Sequence, residues 1–208
     1  MNPSEQLLIV FAKAPLRGEV KTRLGKEIGF EQSAAIHKDL VEDTLRRTIS
    51  NKWQTQLWCT PTIEHVFFQY LATRFSIERH LQSGADLGER MLNAIEYGLR
   101  HFKRVVLIGT DCPLIEQELI DEAFQQLKNG CDVIITPAED GGYVLIGAKK
   151  IEESVFSNIE WGTAAVLSAT ESRLAASDLN WKKTKTLWDI DELVDWQRYQ
   201  GMVNGFGL

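Results

Sequence analysis

A basic segment close to the amino terminus is the first part of the sequence whose residue types could do chemistry. It reads KAPLRGEVKTRL, and its basic residues and glycine are Lys13, Arg17, Lys21, Arg23 and Gly18. Ammonium and guanidinium groups bind phosphate oxygens, and a glycine allows the backbone to approach a ligand closely. The glycine spacings of a P-loop and of a dinucleotide-binding turn are both absent from the sequence. We therefore expect a phosphate-binding loop of another type, with a solvated charged loop as the alternative.

Two segments with aspartates could hold a divalent cation. GTDCP places Asp111 directly after the apolar run VVLI, and DIDE places Asp189 and Asp191 near the carboxyl end of the chain. Mg²⁺ and Mn²⁺ prefer oxygen ligands and are often held by one or two carboxylates together with substrate phosphates. Each aspartate also has a local alternative, because Asp111 suits a turn before a proline and Asp191 suits a helix cap.

Three further segments combine glycines with polar or aromatic side chains. In AEDGGY, Asp140 and two glycines precede Tyr143, a pattern that also fits a plain hairpin turn. In SGADLGERM, Asp86 and Arg90 stand where a helix begins, so they could bind an anion or, for Asp86, cap the helix. In IEWGT, the ring of Trp161 could cover a base or a sugar, although tryptophans are more often packed.

Composition limits the class of protein and of ligand. The chain has 208 residues, 44% of them hydrophobic and 25% charged, and a formal net charge of −6. These values predict one globular domain, residues 1–208, and argue against a nucleic-acid partner, which would require an excess of basic residues. The apolar run Leu7 to Ala12 is too short to span a membrane, so we expect a cytoplasmic protein. The cysteines and histidines show no metal-binding spacing, and no role is assigned to them.

The residues with candidate chemistry follow strands or begin helices. Apolar runs and alternation predict strands at 7–12, 54–60, 105–108, 132–136, 143–148 and 183–188. Helical spacing predicts helices at 31–50, 63–74, 87–102, 119–127, 163–176 and 192–199. This alternation predicts an α/β fold with a mostly parallel sheet flanked by helices, whose ligands bind at the carboxyl ends of the strands.

Five motifs in a fixed order resemble a known family. FAKAPLRGEVKTRL, SGADLGERM, GTDCPLI, DGGYVLIGA and WGT resemble a bacterial family of GT-A-type glycosyltransferases, or nucleotide-diphospho-sugar transferases, of unassigned substrate. That family is similar in architecture to small nucleotidyltransferases, such as the molybdenum-cofactor and phospholactate guanylyltransferases. The resemblance runs from Phe11 to about Trp196. It implies a single GT-A-like nucleotide-binding domain.

The resemblance also implies roles for individual residues. A nucleotide's phosphates would be bound by the set Lys13, Arg17, Gly18, Lys21, Thr22, Arg23, Asp86 and Arg90. Asp111 and Asp191, with Asp189, would hold Mg²⁺ or Mn²⁺. The acceptor side would be lined by Asp140, Gly141, Gly142, Tyr143 and Trp161. Lys21, Asp111 and Asp140 would be the catalytic residues.

Three functions remain open from the sequence. A glycosyltransferase would release a nucleoside diphosphate and would need a base near the acceptor, for which Asp140 is the candidate. A nucleotidyltransferase would release pyrophosphate from a nucleoside triphosphate, and the lysine-rich first loop suits a triphosphate. The third possible function is a non-catalytic module that binds a nucleotide or a sugar phosphate, because GTDCP contains a single aspartate. The first is the preferred interpretation, with a nucleotide or nucleotide-sugar substrate and a small-molecule acceptor.

Overall fold

Strands and helices alternate along most of the chain in the computed structural model, which describes residues 5–205. The strands are β1 (Gln6–Lys13), β2 (Gln54–Thr60), β3 (Glu78–Leu81), β4 (Arg104–Ile108), β5 (Val133–Pro137), β6 (Tyr143–Ala148) and β7 (Trp181–Lys183). The helices are α1 (Thr22–Ile28), α2 (Phe30–Thr48), α3 (Val66–Phe75), α4 (Leu87–Leu99), α5 (Gln117–Lys128), α6 (Val166–Ala175) and α7 (Leu193–Gly205). A short 3₁₀ helix lies at Glu153–Phe156.

The strands form one sheet in the order β3-β2-β1-β4-β6-β5-β7. Strand β1 lies at its centre and pairs in parallel with β2 and β4, whereas β6 runs antiparallel to both β4 and β5. The predicted α/β fold with a mostly parallel sheet is confirmed. Because β1, β2 and β4 point the same way, the loops that follow them meet at one edge of the sheet.

Both faces of the central strand are buried, which explains its uninterrupted apolar sequence. Leu7, Leu8, Ile9 and Val10 all have 0% exposure. Alternate side chains enter two different apolar layers, one packed with α2 and α5 and the other with α4. A strand covered on both faces needs no polar alternation, as the run LLIVFA indicated.

The last predicted strand is wrong in its bounds. Strand β7 covers Trp181–Lys183, whereas the sequence predicted a strand at 183–188. Beyond β7 the chain stays beside β5 through hydrogen bonds such as that from the N–H of Thr184 to the carbonyl of Ile135, and an isolated bridge joins Leu187 to Ala138. Residues 183–188 therefore follow the sheet edge without forming a continuous ladder. Helix α1 and strand β3 were not predicted. Both are short, and neither has a clear hydrophobic period.

Two sequence predictions concern the chain as a whole. All strands of residues 5–205 belong to one sheet. Residues 1–4 and 206–208 lie outside the described part, so the single domain over 1–208 stays a prediction. Among the described residues, no helix combines the length and apolarity needed to cross a membrane.

Candidate active site

A cavity of about 590 Å³ opens at the carboxyl ends of β1, β2 and β4. It brings together many of the predicted site residues, namely Lys13, Thr22, Arg23, Arg90, Asp111, Asp140, Gly142, Tyr143, Trp161, Asp189 and Asp191. Five others do not line it, namely Arg17, Gly18, Lys21, Asp86 and Gly141. Segments distant in sequence therefore meet where the fold class predicts a ligand.

Lys21 lies beneath the cavity and points inward. Its side chain is 3% exposed, and its Nζ atom lies 2.8 Å from Oδ1 of Asp111. The same ammonium group donates a hydrogen bond to the carbonyl of Ile190. Its backbone has a left-handed conformation with φ of 47°, directly before α1. Lys21 thus connects the first loop to both aspartate segments, and in this arrangement it does not offer its charge to the cavity as the sequence predicted.

The Lys21 ion pair sets the charge of Asp111. Burial raises the pKa of Asp111, but the charge and hydrogen bond of Lys21, with a contribution from His37, outweigh burial and lower the pKa below its ordinary value. Asp111 is therefore ionised at neutral pH. Its side chain is 46% exposed although Oδ1 itself is buried, so the carboxylate reaches the cavity through Oδ2.

Asp191 is paired with Arg23 rather than used as a helix cap. The guanidinium of Arg23 lies 3.0 Å from Oδ2 of Asp191 in a partly exposed ion pair. The backbone N–H groups of Asp191 and Glu192 donate instead to Oδ2 of Asp195, at 3.1 and 2.8 Å. Asp195, within α7, thus accepts the N–H groups just ahead of the helix, while the Asp191 carboxylate pairs with Arg23.

Asp189 and Asp140 face the cavity without a cationic partner. Among residues 5–205, neither carboxylate forms an ion pair, although Oδ1 of Asp140 accepts a hydrogen bond of 2.8 Å from the N–H of Gly142. Burial and the negative charges of Asp140 and Asp111 raise the pKa of Asp189 to about 6, which Lys21 only partly opposes. This side of the cavity therefore carries negative charge that the protein itself leaves unbalanced.

The aspartates fit a divalent cation that is shared with a substrate. Within the described part of the chain, no three His, Cys, Asp or Glu side chains are grouped as a self-sufficient metal site. Mg²⁺ and similar cations are commonly bound by one or two carboxylates, with phosphates and water completing the coordination. Asp111 and Asp189 can supply these carboxylates, and burial together with the charges of Asp140 and Asp111 disfavours the ionised form of Asp189, as its raised pKa indicates.

Helix α2 supports the loops that carry these residues. The Nε2–H of His37 donates to the carbonyl of Lys13 at 2.9 Å, and Thr44 donates to the carbonyl of Thr110 at 3.4 Å. Arg47 donates to the carbonyl of Pro113. Sequence reasoning missed His37. Its signal was a buried polar residue on the stripe of α2 that also carries Val41 and Thr44.

Two aromatic side chains, Tyr143 and Trp161, line part of the cavity. The ring of Trp161 packs on Gly88, where an added Cβ would lie 2.5 Å from Cζ2 of the indole. Tyr143 meets Trp161 edge to face, with ring centroids 6.4 Å apart. Burial raises the pKa of Tyr143, so its phenol stays protonated. Leu87 and Met91 also line the cavity and add to its apolar surface.

Asp86 caps α4 and does not reach the cavity. Its Oδ1 accepts a 2.9 Å hydrogen bond from the N–H of Glu89, and Oε2 of Glu89 accepts one of 2.8 Å from Ala85. This reciprocal arrangement occupies the Asp86 carboxylate, so the predicted contact with a nucleotide is not supported, and the capping alternative is observed. Arg90 lines the cavity and donates from Nε to the carbonyl of Gly84.

The hairpin turn between β5 and β6 explains the DGG motif. Gly141 has φ of 88°, and a Cβ there would lie 2.3 Å from the carbonyl oxygen of Ala164, so only glycine fits. Arg198 of α7 holds the turn by pairing with Glu139 at 2.8 Å while its guanidinium stacks on Trp188. The plain hairpin interpretation is therefore correct, and the turn also places Asp140 at the cavity.

Arg17 and Gly18 lie at the exposed tip of the first loop, outside the cavity. Gln82, to which the sequence gave no role, lines the cavity and donates to the carbonyl of Trp58 at 2.8 Å.

Solved structures share this fold. The chain is 31% identical to a protein provisionally described as a nucleotide-diphospho-sugar transferase from Desulfovibrio desulfuricans G20, over 91% of this chain and 83% of that chain, with a TM-score of 0.83. A cytidylyltransferase from Leptospira borgpetersenii serovar Hardjo-bovis is 13% identical over 96% and 87%, with a TM-score of 0.64. The glucosyl-3-phosphoglycerate synthase of Mycobacterium tuberculosis, solved with Mn²⁺, UDP and glucosyl-3-phosphoglycerate, is 8% identical over 93% and 74%, with a TM-score of 0.54.

Sequence comparison identifies the family. No curated protein has a significantly similar sequence. A family profile described as an uncharacterized protein conserved in bacteria, DUF2064, matches residues 44–163, which include α4, the GTDCP segment, the DGG turn and Trp161. Since this match covers more than half of the chain, the protein belongs to the DUF2064 family.

Proposed function

We propose that this enzyme of the transferase class moves a glycosyl group from a nucleotide-diphospho-sugar to a small-molecule acceptor. The identity with the Desulfovibrio protein, which extends over most of both chains, supports a nucleotide-sugar transferase-like function. The single observation that carries the assignment to this cavity is its division into three parts: cations from the first loop, carboxylates without cationic partners, and an aromatic wall.

The basic side of the cavity would bind the diphosphate. Lys13 and Arg23 line it and can donate to phosphate oxygens, and Arg90 faces it from α4. These positive charges would stabilise the diphosphate as it leaves, when its negative charge increases. A divalent cation held by Asp111 and Asp189 would add positive charge at the same place. The Mn²⁺ and UDP of the Mycobacterium enzyme support cation use by a protein of this fold.

The aromatic side would receive the acceptor. Trp161 and Tyr143 offer an apolar surface against which a sugar ring or another planar face can pack. In the transfer step, an acceptor oxygen forms a bond to C1 of the sugar while the bond from C1 to the diphosphate breaks. The acceptor proton goes to Asp140, whose Oδ1 is oriented by the N–H of Gly142. The nucleoside diphosphate leaves with the electron pair.

Nucleotidyl transfer is the second candidate, because a triphosphate would suit the same basic loop. In that reaction a substrate oxygen attacks the α-phosphorus and pyrophosphate leaves. The Leptospira cytidylyltransferase shares the fold, although at 13% identity it supports no more than the fold. A binding module without catalysis is the third.

A panel of ligands tests these alternatives. Thermal unfolding is measured with nucleoside triphosphates and with sugar nucleotides, each with Mn²⁺, with Mg²⁺ and with EDTA. A ligand at a hundredfold excess over its Kd stabilises by about 2.7 kcal/mol, which is readily detected. Glycosyl transfer predicts cation-dependent stabilisation by a sugar nucleotide and release of nucleoside diphosphate with an acceptor. Stabilisation by triphosphates alone would support nucleotidyl transfer, and stabilisation without turnover over an acceptor library would support the binding module. No stabilisation by any ligand would contradict the site.

A further inference from the structure

The imidazole of His37 is held beneath the cavity in one orientation. His37 lies on α2 with 5% exposure and lines the floor of the cavity beside Asp111. Its Nε2 atom lies 2.9 Å from the carbonyl oxygen of Lys13. A carbonyl only accepts hydrogen bonds, so Nε2 carries the proton and Nδ1 carries the lone pair.

The Nδ1 atom of His37 has no hydrogen-bond partner among the described residues. A buried acceptor that has lost water and gained no donor is unfavourable, and most such groups in proteins are satisfied. The nearest acidic group is Oδ1 of Asp111, 3.8 Å from Nδ1. A lone pair and a carboxylate cannot hydrogen-bond to each other, so Nδ1 stays open to a third group, whereas Oδ1 already contacts the Lys21 ammonium.

The environment of His37 matches that of a histidine bound to a metal. Such histidines usually donate their other N–H to a backbone carbonyl or a carboxylate, which fixes the tautomer and the ring orientation. His37 has this contact with Lys13. Bonds from protein ligands to small divalent cations are about 2.0–2.2 Å long, so two atoms 3.8 Å apart can reach the same ion.

We infer that His37, through Nδ1, is a nitrogen ligand that shares with Asp111 the divalent cation of the proposed function, on which this inference rests. An imidazole ligand suits first-row transition metals better than Mg²⁺, which prefers oxygen. The His37–Asp111 pair should therefore favour Mn²⁺ over Mg²⁺ at this site. The diphosphate of the substrate would supply oxygen ligands on the cavity side, with Asp189 nearby as a further negative charge.

Lys21 opposes the cation in the ligand-free protein. Its ammonium group lies 2.8 Å from the same Oδ1 of Asp111, so an ion at this pair must share the carboxylate with a positive charge. The protein alone should therefore bind Mn²⁺ weakly. The negative charge of a diphosphate should strengthen Mn²⁺ binding.

Electron paramagnetic resonance of Mn²⁺ tests the inference directly. Mn²⁺ is added to the full chain at high protein concentration, and the free-ion signal gives its affinity. Electron spin-echo modulation of bound Mn²⁺ then detects a directly coordinated ¹⁴N nucleus. We expect nitrogen modulation in the wild type, and in competition a clear preference for Mn²⁺ over Mg²⁺. This arm needs no variant, so it does not depend on the folding of one.

Two substitutions separate ligation from support of the loop. In His37→Gln, the amide nitrogen can replace Nε2 and keep the bond to the Lys13 carbonyl, but no atom replaces Nδ1. We expect at least about a tenfold loss of Mn²⁺ affinity and loss of nitrogen modulation. In His37→Asn, the amide oxygen can replace Nδ1, so part of the affinity should remain without the modulation. His101→Gln, an exposed histidine at the end of α4, is the matched control and should change neither signal.

The outcomes distinguish this inference from the proposed function. Mn²⁺ bound to the wild type without nitrogen modulation, or modulation retained in His37→Gln, would overturn ligation by His37 and leave cation-dependent transfer intact. A wild type that binds Mn²⁺ neither alone nor with a sugar nucleotide would overturn both. Thermal unfolding of each variant shows whether it is folded. If a variant is unfolded, the presence or absence of nitrogen modulation in the wild type alone tests ligation by His37.

Discussion

Asp111 and Asp189 face the same cavity but have opposite electrostatic surroundings. Asp111 has the Lys21 ammonium at 2.8 Å and a pKa below its ordinary value. Asp189 has no cation paired with it in residues 5–205, and its pKa is raised to about 6. The chain therefore neutralises one carboxylate itself and leaves the other to be neutralised by a ligand. A site can in this way be organised before the ligand arrives and still attract a cation.

The same difference separates Asp191 from Asp140. Asp191 is paired with Arg23, whereas Asp140 accepts a backbone hydrogen bond from Gly142 and has no ion-pair partner among residues 5–205. Asp111, after β4, and Asp191, before α7, have cationic partners. Asp140 and Asp189 have no ion pair among residues 5–205 and line the same cavity. Removing the charge of a paired aspartate should lower stability, whereas removing the charge of an unpaired one should raise it. Both changes should weaken cation binding where the aspartate is a proposed ligand.

The largest effect is expected for Asp111→Asn. The amide removes the carboxylate proposed to hold the cation and leaves the buried Lys21 ammonium without its counter-charge. Cation-dependent nucleotide binding should fall by at least about a hundredfold, and the free energy of unfolding by about 1–3 kcal/mol. Calorimetric titration and urea unfolding measure the two. Asp39→Asn, on the exposed face of α2, is the control. Unchanged cation affinity would contradict the role of Asp111.

Lys21→Ala should rank second. It removes the group that joins Asp111 to the carbonyl of Ile190, so the two aspartate segments lose their common partner. We expect nucleotide binding to weaken about tenfold and stability to fall by about 1–2 kcal/mol. Lys38→Ala, on the solvated face of α2, removes a lysine whose ammonium lies 5.8 Å from the centre of the Phe67 ring, and it should change little. Equal losses in the two variants would argue against a specific role for Lys21.

Asp189→Asn should stabilise the ligand-free protein while weakening cation binding. A raised pKa means that the folded state binds the proton more tightly than the unfolded state, whose value is 3.8, so wild-type stability decreases as pH rises from about 4 to 6. The variant lacks this loss. At pH 7.5 it should be more stable by about 1 kcal/mol, a value reduced by partial exposure of the side chain. Urea unfolding from pH 3.5 to 8 should show the gain vanish below pH 4, and a gain that is independent of pH would refute this account.

The smallest effect is expected for Arg198→Ala. The guanidinium pairs with Glu139 in the turn before Asp140 and lies 4.3 Å from the centre of the Trp188 ring. Loss of an exposed pair and of a cation–π contact should lower stability by about 0.5–1 kcal/mol, and Arg198→Lys should recover part of it. Chemical denaturation of the three proteins measures the differences. A loss as large as that of Asp111→Asn would mean that the turn, rather than the ion pairs, organises the site.

Residues fixed by local pattern were predictable from the sequence, and those fixed by distant contacts were not. The run LLIVFA indicated a doubly buried strand, and the position of Asp111 after VVLI placed it at the cavity. The inward direction of Lys21 depends on a left-handed backbone and on Ile190, which is 169 residues away. No local period contains that information. For Asp86 the sequence allowed two roles, and only the hydrogen bond from Glu89 distinguishes them.

His37 shows a different reason for failure. A histidine on a mostly apolar helix stripe has the same sequence signature whether it fills the core or faces a ligand. Only the contact with Lys13, together with the missing partner of Nδ1, separates these possibilities.

The packing of Trp161 on Gly88 has an optical consequence. All six tryptophans of the chain fall within the described residues, and only Trp161 lines the cavity. The indole N–H of Trp161 has no hydrogen-bond partner within those residues, so its emission should respond to the polarity of whatever enters beside it. Intrinsic fluorescence can therefore follow occupancy of the cavity without a label, and Trp161→Phe provides the silent reference.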